Sequence, residues 1–191
     1  MTKKNVAIVI GNGVSRKELD LNSLVGHGTI YGCNALYREF SNYDHLIAID
    51  DGMIEEIKND PKAIIPPIEE RFESSDYNPF QRRRSNAGMN AMYEAVKAGH
   101  VSIFCIGFDF ILEGDISVDN IFKGTKNYGP ETHANVSDNY YRLQYLQWFI
   151  SKYKTCSFWF VIPDDAEKKN IEGNNVFGIH LSRFINMLET E

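Results

Sequence analysis

The residues best suited to chemistry in this chain lie just after its apolar runs. Asn12 stands between Gly11 and Gly13, directly behind Val6–Ile10, and Asn34 follows the run Gly28-Thr29-Ile30-Tyr31-Gly32-Cys33. A carboxamide both donates and accepts, which suits a nucleobase edge or a ribose hydroxyl. The same two residues also suit turns in which the side chain bonds its own backbone. Arg82-Arg83-Arg84 stands just before a helix that opens at Asn86. Arg84, nearest that helix, is placed to reach a phosphate beside the positive helix end, while Arg82 and Arg83 read as a solvated basic pair. His133 sits near Tyr128, Glu131 and Thr132 ahead of a long helical segment. A neutral imidazole there suits a general base acting on a sugar hydroxyl near pH 7. A histidine on a surface loop is the plainer alternative. Asp50-Asp51 fits a metal site or, more simply, a helix N-cap followed by a solvated acid. His27, His45, His100 and His180 read as turn or strand-edge residues.

These groups need elements to hold them. Val6–Ile10 is a short, β-branched apolar run ending in glycine, the pattern of a buried strand feeding a tight turn. Ser15 is expected to cap a following helix, with Glu18 completing a capping box. Gly11-Asn12-Gly13-Val14-Ser15 departs from the dinucleotide fingerprint and the P-loop, because further glycines and a GK[ST] are missing. Further strands are expected at Gly28–Gly32, His45–Ile49, Ala63–Ile65, Val101–Ile106 and Ser157–Ile162, with another near Val176. Between them the spacing predicts helices at Asn34–Phe40, with Asn34 as N-cap, and through Lys58, capped by Asp50-Asp51. Asn86–Ala98, Val136–Tyr153 and Leu181–Leu188 follow. Met89, Met92, Tyr93 and Val96 recur at helical spacing in the first of these three, and Gly99 stops it. Irregular excursions are expected at about 67–84 and 111–135.

Near-continuous apolar strands alternating with helices imply an α/β fold: a Rossmann-like, mainly parallel sheet with helices on both faces, in one domain over 1–191. In such sheets ligands bind beyond the strand C-termini. That edge gathers Gly11–Ser15, Gly32–Asn34, Asp50-Asp51 and Gly107–Phe110.

Composition narrows the classes. A hydrophobic content of 43% and a charged content of 24% are those of a soluble globular chain. A net charge of −6 and a pI near 5.4 argue against a general nucleic-acid surface. Cys33, Cys105 and Cys156 form no CxxC pair, and buried reduced thiols are expected. No HExxH, GxSxG or Walker pattern is present, which sets aside zinc hydrolase, serine hydrolase and P-loop chemistry. The apolar run after Lys3-Lys4 is short for a secretory signal, and no segment is long enough to span a membrane, so a cytoplasmic protein is expected. The sequence is compatible with a homo-oligomer.

The ordered set of motifs resembles the bacterial lipo-oligosaccharide sialyltransferases of glycosyltransferase family 42. Gly11-Asn12-Gly13-Val14-Ser15 is similar to their GNGPS, and Gly32-Cys33-Asn34 to their RCN. Arg84-Ser85-Asn86-Ala87-Gly88 is similar to R-x-T-S-G, and Gly107-Phe108-Asp109-Phe110 to G-I-D-F. His133 with Asn135 and Asp138 resembles the H-S-K-N segment. The order holds to residue 162. The resemblance implies metal-independent, inverting transfer of a sialic-acid-type sugar from a CMP-sugar donor to an acceptor hydroxyl, without a cofactor. It implies that Asn12 and Asn34 hold cytidine and ribose, with Gly11, Gly13, Ser15, Gly107 and Asp109 completing that wall. Arg84 and the Asn86-Ala87-Gly88 turn would lie beside the donor, and His133 would take the acceptor proton. The family's serine is Ala87 here, the arginine before C-N is Gly32, and its phosphate-gripping tyrosines have no counterpart in Ile111–Gly114, a role Tyr128 could fill. Archaeal-type pterin pyrophosphokinases share the glycine–asparagine opening and the G-x-D strand end. That alternative implies ATP as substrate and Asp50, Asp51 or Asp109 on magnesium. A non-catalytic nucleotide-binding or interaction domain is the third reading.

Overall fold

The computed structural model describes residues 5–68, 86–114, 118–130, 133–134 and 136–190, with the backbone alone for Val118, His133 and Ala134. Of the excursion expected at about 67–84, residues 69–84, including Arg84, lie outside the described residues.

Seven strands form one sheet in which every neighbouring pair is parallel. They are β1 (Val6–Ile10), β2 (Thr29–Cys33), β3 (His45–Ile47), β4 (Ala63–Ile64), β5 (Ser102–Ile106), β8 (Ser157–Ile162) and β9 (Val176–His180), in the order β4-β3-β2-β1-β5-β8-β9. The chain winds outward from β1 to β4, crosses back to β5 beside β1, and winds outward again. β1 and β5 therefore flank the point where the winding reverses, in register from Val6↔Ser102 to Ile10↔Ile106. Both strands are buried along their whole length, which is why β1 reads as an unbroken apolar run and β5 as one broken only by Ser102.

Alternate residues of these strands feed two cores. Ala7, Val9, Tyr31 and Cys105 pack with Met89 and Met92 of α2 (Ala87–Lys97) and Tyr145 and Phe149 of α3 (Val136–Lys152). Val6, Ile8, Ile10 and Phe104 pack on the other face with Ile57 of α1 (Asp51–Ile57) and Phe184 of α4 (Leu181–Glu189). Helices thus cover both faces, giving the Rossmann-like α/β fold. The three cysteines are buried and unbridged.

After β1, where a polar turn or short helix is expected around Arg16 to Leu24, the chain forms two 3₁₀ turns, Val14–Arg16 and Leu21–Leu24, and after β2 the 3₁₀ segment Asn34–Arg38 replaces the helix expected over Asn34–Phe40. Ser15 is no N-cap: it sits inside its turn, where Asp109 has captured its backbone N–H and its hydroxyl. Asn34 is likewise the first residue of its turn rather than the cap, with a left-handed φ of 49° that asparagine tolerates better than most residues. Within the stretch expected to be irregular, β6 (Val118–Asp119) and β7 (His133–Ala134) form a small antiparallel ribbon, pairing Asp119 with His133.

Candidate functional site

The β1 and β5 turns meet at the C-terminal edge of the sheet. Gly11 N donates to Ile106 O at 2.8 Å and Gly13 N to Gly107 O at 3.1 Å, extending the ladder beyond both strands. A Cβ on Gly11 would lie 2.7 Å from the Gly107 carbonyl, and one on Gly13 would lie 2.6 Å from it, so both glycines are demanded by this contact. Ser15 N donates to Asp109 Oδ2 at 3.1 Å. These amides are spent on β5 and Asp109, so the turn does not present them as an anion cradle.

Asn12 is 8% exposed and its amide also works inward. Its Nδ2 donates to Cys33 O at 2.9 Å and its Oδ1 accepts from Arg16 at 3.2 Å. Arg16, 3% exposed, also donates to Gly11 O at 2.7 Å and to Glu39 at 2.5 Å. One buried guanidinium therefore knits the ends of β1 and β2 together. No sequence signal marks this pairing, because Glu39 lies 23 residues on with no pattern linking the two.

A cavity of about 390 Å³ opens at this edge, within the range of small-molecule sites. Its wall includes Gly11, Asn12 and Gly13 from the β1 turn, Asn34 from the β2 turn, Asn86, Ala87 and Gly88 from the start of α2, and Gly107 and Asp109 from the β5 turn. Tyr128 lines it as well. Of the residues expected at the site, the structure brings these ten together. Ser15 stands behind Asp109 instead of on the wall. Asn86 caps α2, its Oδ1 accepting from Met89 N at 2.9 Å. Asp50 is the N-cap residue of α1 and also reaches the wall.

The segment 118–130 closes one side. Asn120 bridges Gly13, and Ile121 N donates to Asn12 O at 2.9 Å. Below it Glu56 of α1 gathers Tyr37 Oη at 2.5 Å, Arg38 at 2.7 Å and Asn127 Nδ2 at 2.5 Å. Arg38 also donates to Thr125 Oγ1 at 2.8 Å and Lys126 O at 2.9 Å. Burial alone would raise the Glu56 pKa, but the hydrogen bonds from Tyr37 and Arg38 and the charges of Arg38 and Lys126 outweigh it and hold it at about 2. This latch keeps Tyr128 in the wall. Burial pushes the Tyr128 phenol up to about 12, against the opposing effect of Asn34 and the Ala35 backbone, so it is a protonated hydroxyl at neutral pH.

Sequence reasoning missed Asp119, Asn120 and Arg142, which also line the cavity together with Asp138. Asp138 and Arg142 lie four apart on α3, and that spacing was the available signal. The charged side chains on the described wall are Asp50, Asp109, Asp119, Asp138 and Arg142. Among the described residues no group of three or more His, Cys, Asp or Glu is arranged to hold a metal ion. The pairing with Asp119 brings the His133 backbone beside this wall. Among the described residues no helix is long and apolar enough to cross a membrane.

The fold is shared with a solved sialyltransferase. The chain superposes over 100% of its length on 95% of the monofunctional α-2,3-sialyltransferase Cst-I from Campylobacter jejuni, with a TM-score of 0.51 and 15% sequence identity. No protein-family model matches the sequence, and no curated protein does.

Proposed function

We propose that the protein is a glycosyltransferase-like enzyme that takes a sugar, of sialic-acid type, from a CMP-sugar to an acceptor hydroxyl without a metal. The observation that carries this reading is convergence. The separate motifs Gly11–Gly13, Asn34, Asn86–Gly88 and Gly107–Asp109, spread over about half the chain, line one cavity where the sheet winding reverses. That is where α/β sheets bind nucleotides, and the whole-chain likeness to Cst-I supports the same class.

In this reading the cytidine lies against Asn34 and the β1 turn, and the Tyr128 hydroxyl and Arg84 attend the donor. The acceptor oxygen forms a bond to the anomeric carbon as the bond from that carbon to the CMP phosphate breaks. His133 accepts the acceptor's proton and CMP leaves with the bonding pair. Inversion follows from attack opposite the leaving group.

The cavity's aspartates favour a second reading. Asp50, Asp109, Asp119 and Asp138 line the cavity without forming a metal-holding group of three, but one carboxylate with ATP phosphates and water would be enough for magnesium, as in a pterin pyrophosphokinase. Thermal shifts with CMP, CDP, ATP and GTP, each with and without magnesium, separate the readings. A shift with CMP that ignores magnesium supports the transferase. A magnesium-dependent shift confined to ATP overturns it in favour of the kinase. No shift with any of them leaves the interaction-domain reading in its place.

A further inference from the structure

We propose that Tyr128 reads the ribose of the bound nucleotide, its hydroxyl and Oδ1 of Asn34 together taking up one sugar hydroxyl. The assignment rests on the cytidine-nucleotide reading above and gives Tyr128 a partner other than the phosphate.

Oη of Tyr128 and Oδ1 of Asn34 stand on the cavity wall, buried and without a hydrogen-bond partner among the described residues. Tyr128 as a whole is 7% exposed. A buried polar atom left unbonded costs stability, so such atoms mark places where a ligand supplies the partner. The two groups are neighbours. Burial pushes the Tyr128 phenol up to about 12, and the Asn34 side chain and the Ala35 backbone act on it in the opposite sense. Both are also held in place. The Tyr128 ring packs on Phe122 with centroids 6.0 Å apart and lies 5.9 Å from the Arg38 guanidinium. Asn34 holds its left-handed backbone at the end of β2.

The two atoms need different things from a ligand. A protonated phenol donates, whereas a carboxamide oxygen only accepts. A hydroxyl meets both from a single oxygen, accepting from Tyr128 while donating to Asn34. A phosphate oxygen accepts alone. It would also set its charge against Oδ1 and against Asp50, whose charge is felt at Tyr128. An ammonium group donates alone. The ribose is the part of a cytidine nucleotide that carries hydroxyls, and the position agrees. Asn34 stands about 20 residues beyond the Gly11–Gly13 turn, the spacing at which dinucleotide-binding sheets bond a ribose hydroxyl.

The test titrates CMP, cytidine and 2′,3′-dideoxy-CMP by calorimetry into wild type, Tyr128→Phe and Asn34→Gly, each checked for folding by circular dichroism. Tyr128→Phe removes the hydroxyl alone. Asn34→Gly removes the amide at a φ of 49°, which glycine adopts freely. Wild type should bind CMP about tenfold more tightly than the dideoxy compound. Each substitution should weaken CMP and cytidine alike, by about 3- to 10-fold, and leave the dideoxy compound unchanged. A fall confined to CMP overturns the assignment in favour of a phosphate contact. An equal fall for all three also overturns it, because it marks a contact to the base or a structural role. So do unchanged CMP affinity in the folded variants and equal wild-type affinity for CMP and the dideoxy compound. If wild type binds none of the three, the cytidine-nucleotide reading itself is overturned, and the ribose assignment with it.

Discussion

Ser15 gives both its backbone N–H and its hydroxyl to the carboxylate of Asp109, 94 residues along the chain. Asp109 is 3% exposed, so this pairing ties the first and fifth strand ends together inside the protein, directly behind the cavity. Removing the carboxylate leaves the Ser15 donors without their acceptor. Asp109→Ala should therefore cost about 2 kcal/mol, and Ser15→Ala about 1 kcal/mol, as for buried hydrogen bonds to charged and neutral groups. For a chain of this size the larger loss lowers Tm by about 4–8 °C. The double variant should lose less than the sum of the two, because both remove one contact. Simple additivity in thermal denaturation would show that the pair is not coupled.

The strands were legible before the structure because β1 and β5 are buried on both faces and end in glycine, so composition and periodicity agree. α2 was legible for a similar reason: Asn86 caps it, an apolar stripe runs along it, and Gly99 ends it. The turns after β1 and β2 were not. Ser15 and Asn12 carry the local signature of cap and turn residues, yet each is also held by a distant partner: Asp109 for one and Cys33 for the other. The β6–β7 ribbon was invisible because its strands are two residues each. Arg142 and Asp119 were missed because α3 was read for its apolar stripe and the ribbon for its irregularity, so the polar side of neither was assigned to the cavity.

Glu56 is the hub that fastens the segment carrying Tyr128. Its carboxyl is held at about 2, below its ordinary value of 4.5. A group whose folded pKa is depressed contributes stability that is fully present above its unfolded pKa and lost as pH falls through the folded one. Wild type should thus exceed Glu56→Gln in Tm at neutral pH, and the gap should close as pH falls from about 4.5 toward 2. Amide exchange in 118–130 should quicken in Glu56→Gln at pH 7. Equal Tm values and equal exchange at pH 7 would show that the latch holds nothing.

His133 is expected to act as the base that takes the acceptor proton. A positioned base contributes about 10²- to 10⁴-fold, so His133→Ala should lose turnover on that scale while binding the donor as before. Protonated imidazole cannot accept a proton, so the wild-type rate should fall on the acid side of its pH profile. Turnover that survives the substitution removes His133 from the mechanism. Lost donor binding instead assigns it a structural role beside Asp119.

Metal-independent transfer from a cytidine-nucleotide sugar is tested by CMP release from CMP-sialic acid in excess EDTA. Water serves as the default acceptor, and added glycans provide faster ones. Steady CMP release is expected with EDTA present, stimulated by an accepted glycan, and none from cavity variants that fold but bind no CMP. Absence of CMP release under every acceptor condition, with magnesium-dependent consumption of ATP by the same preparation, would contradict such transfer.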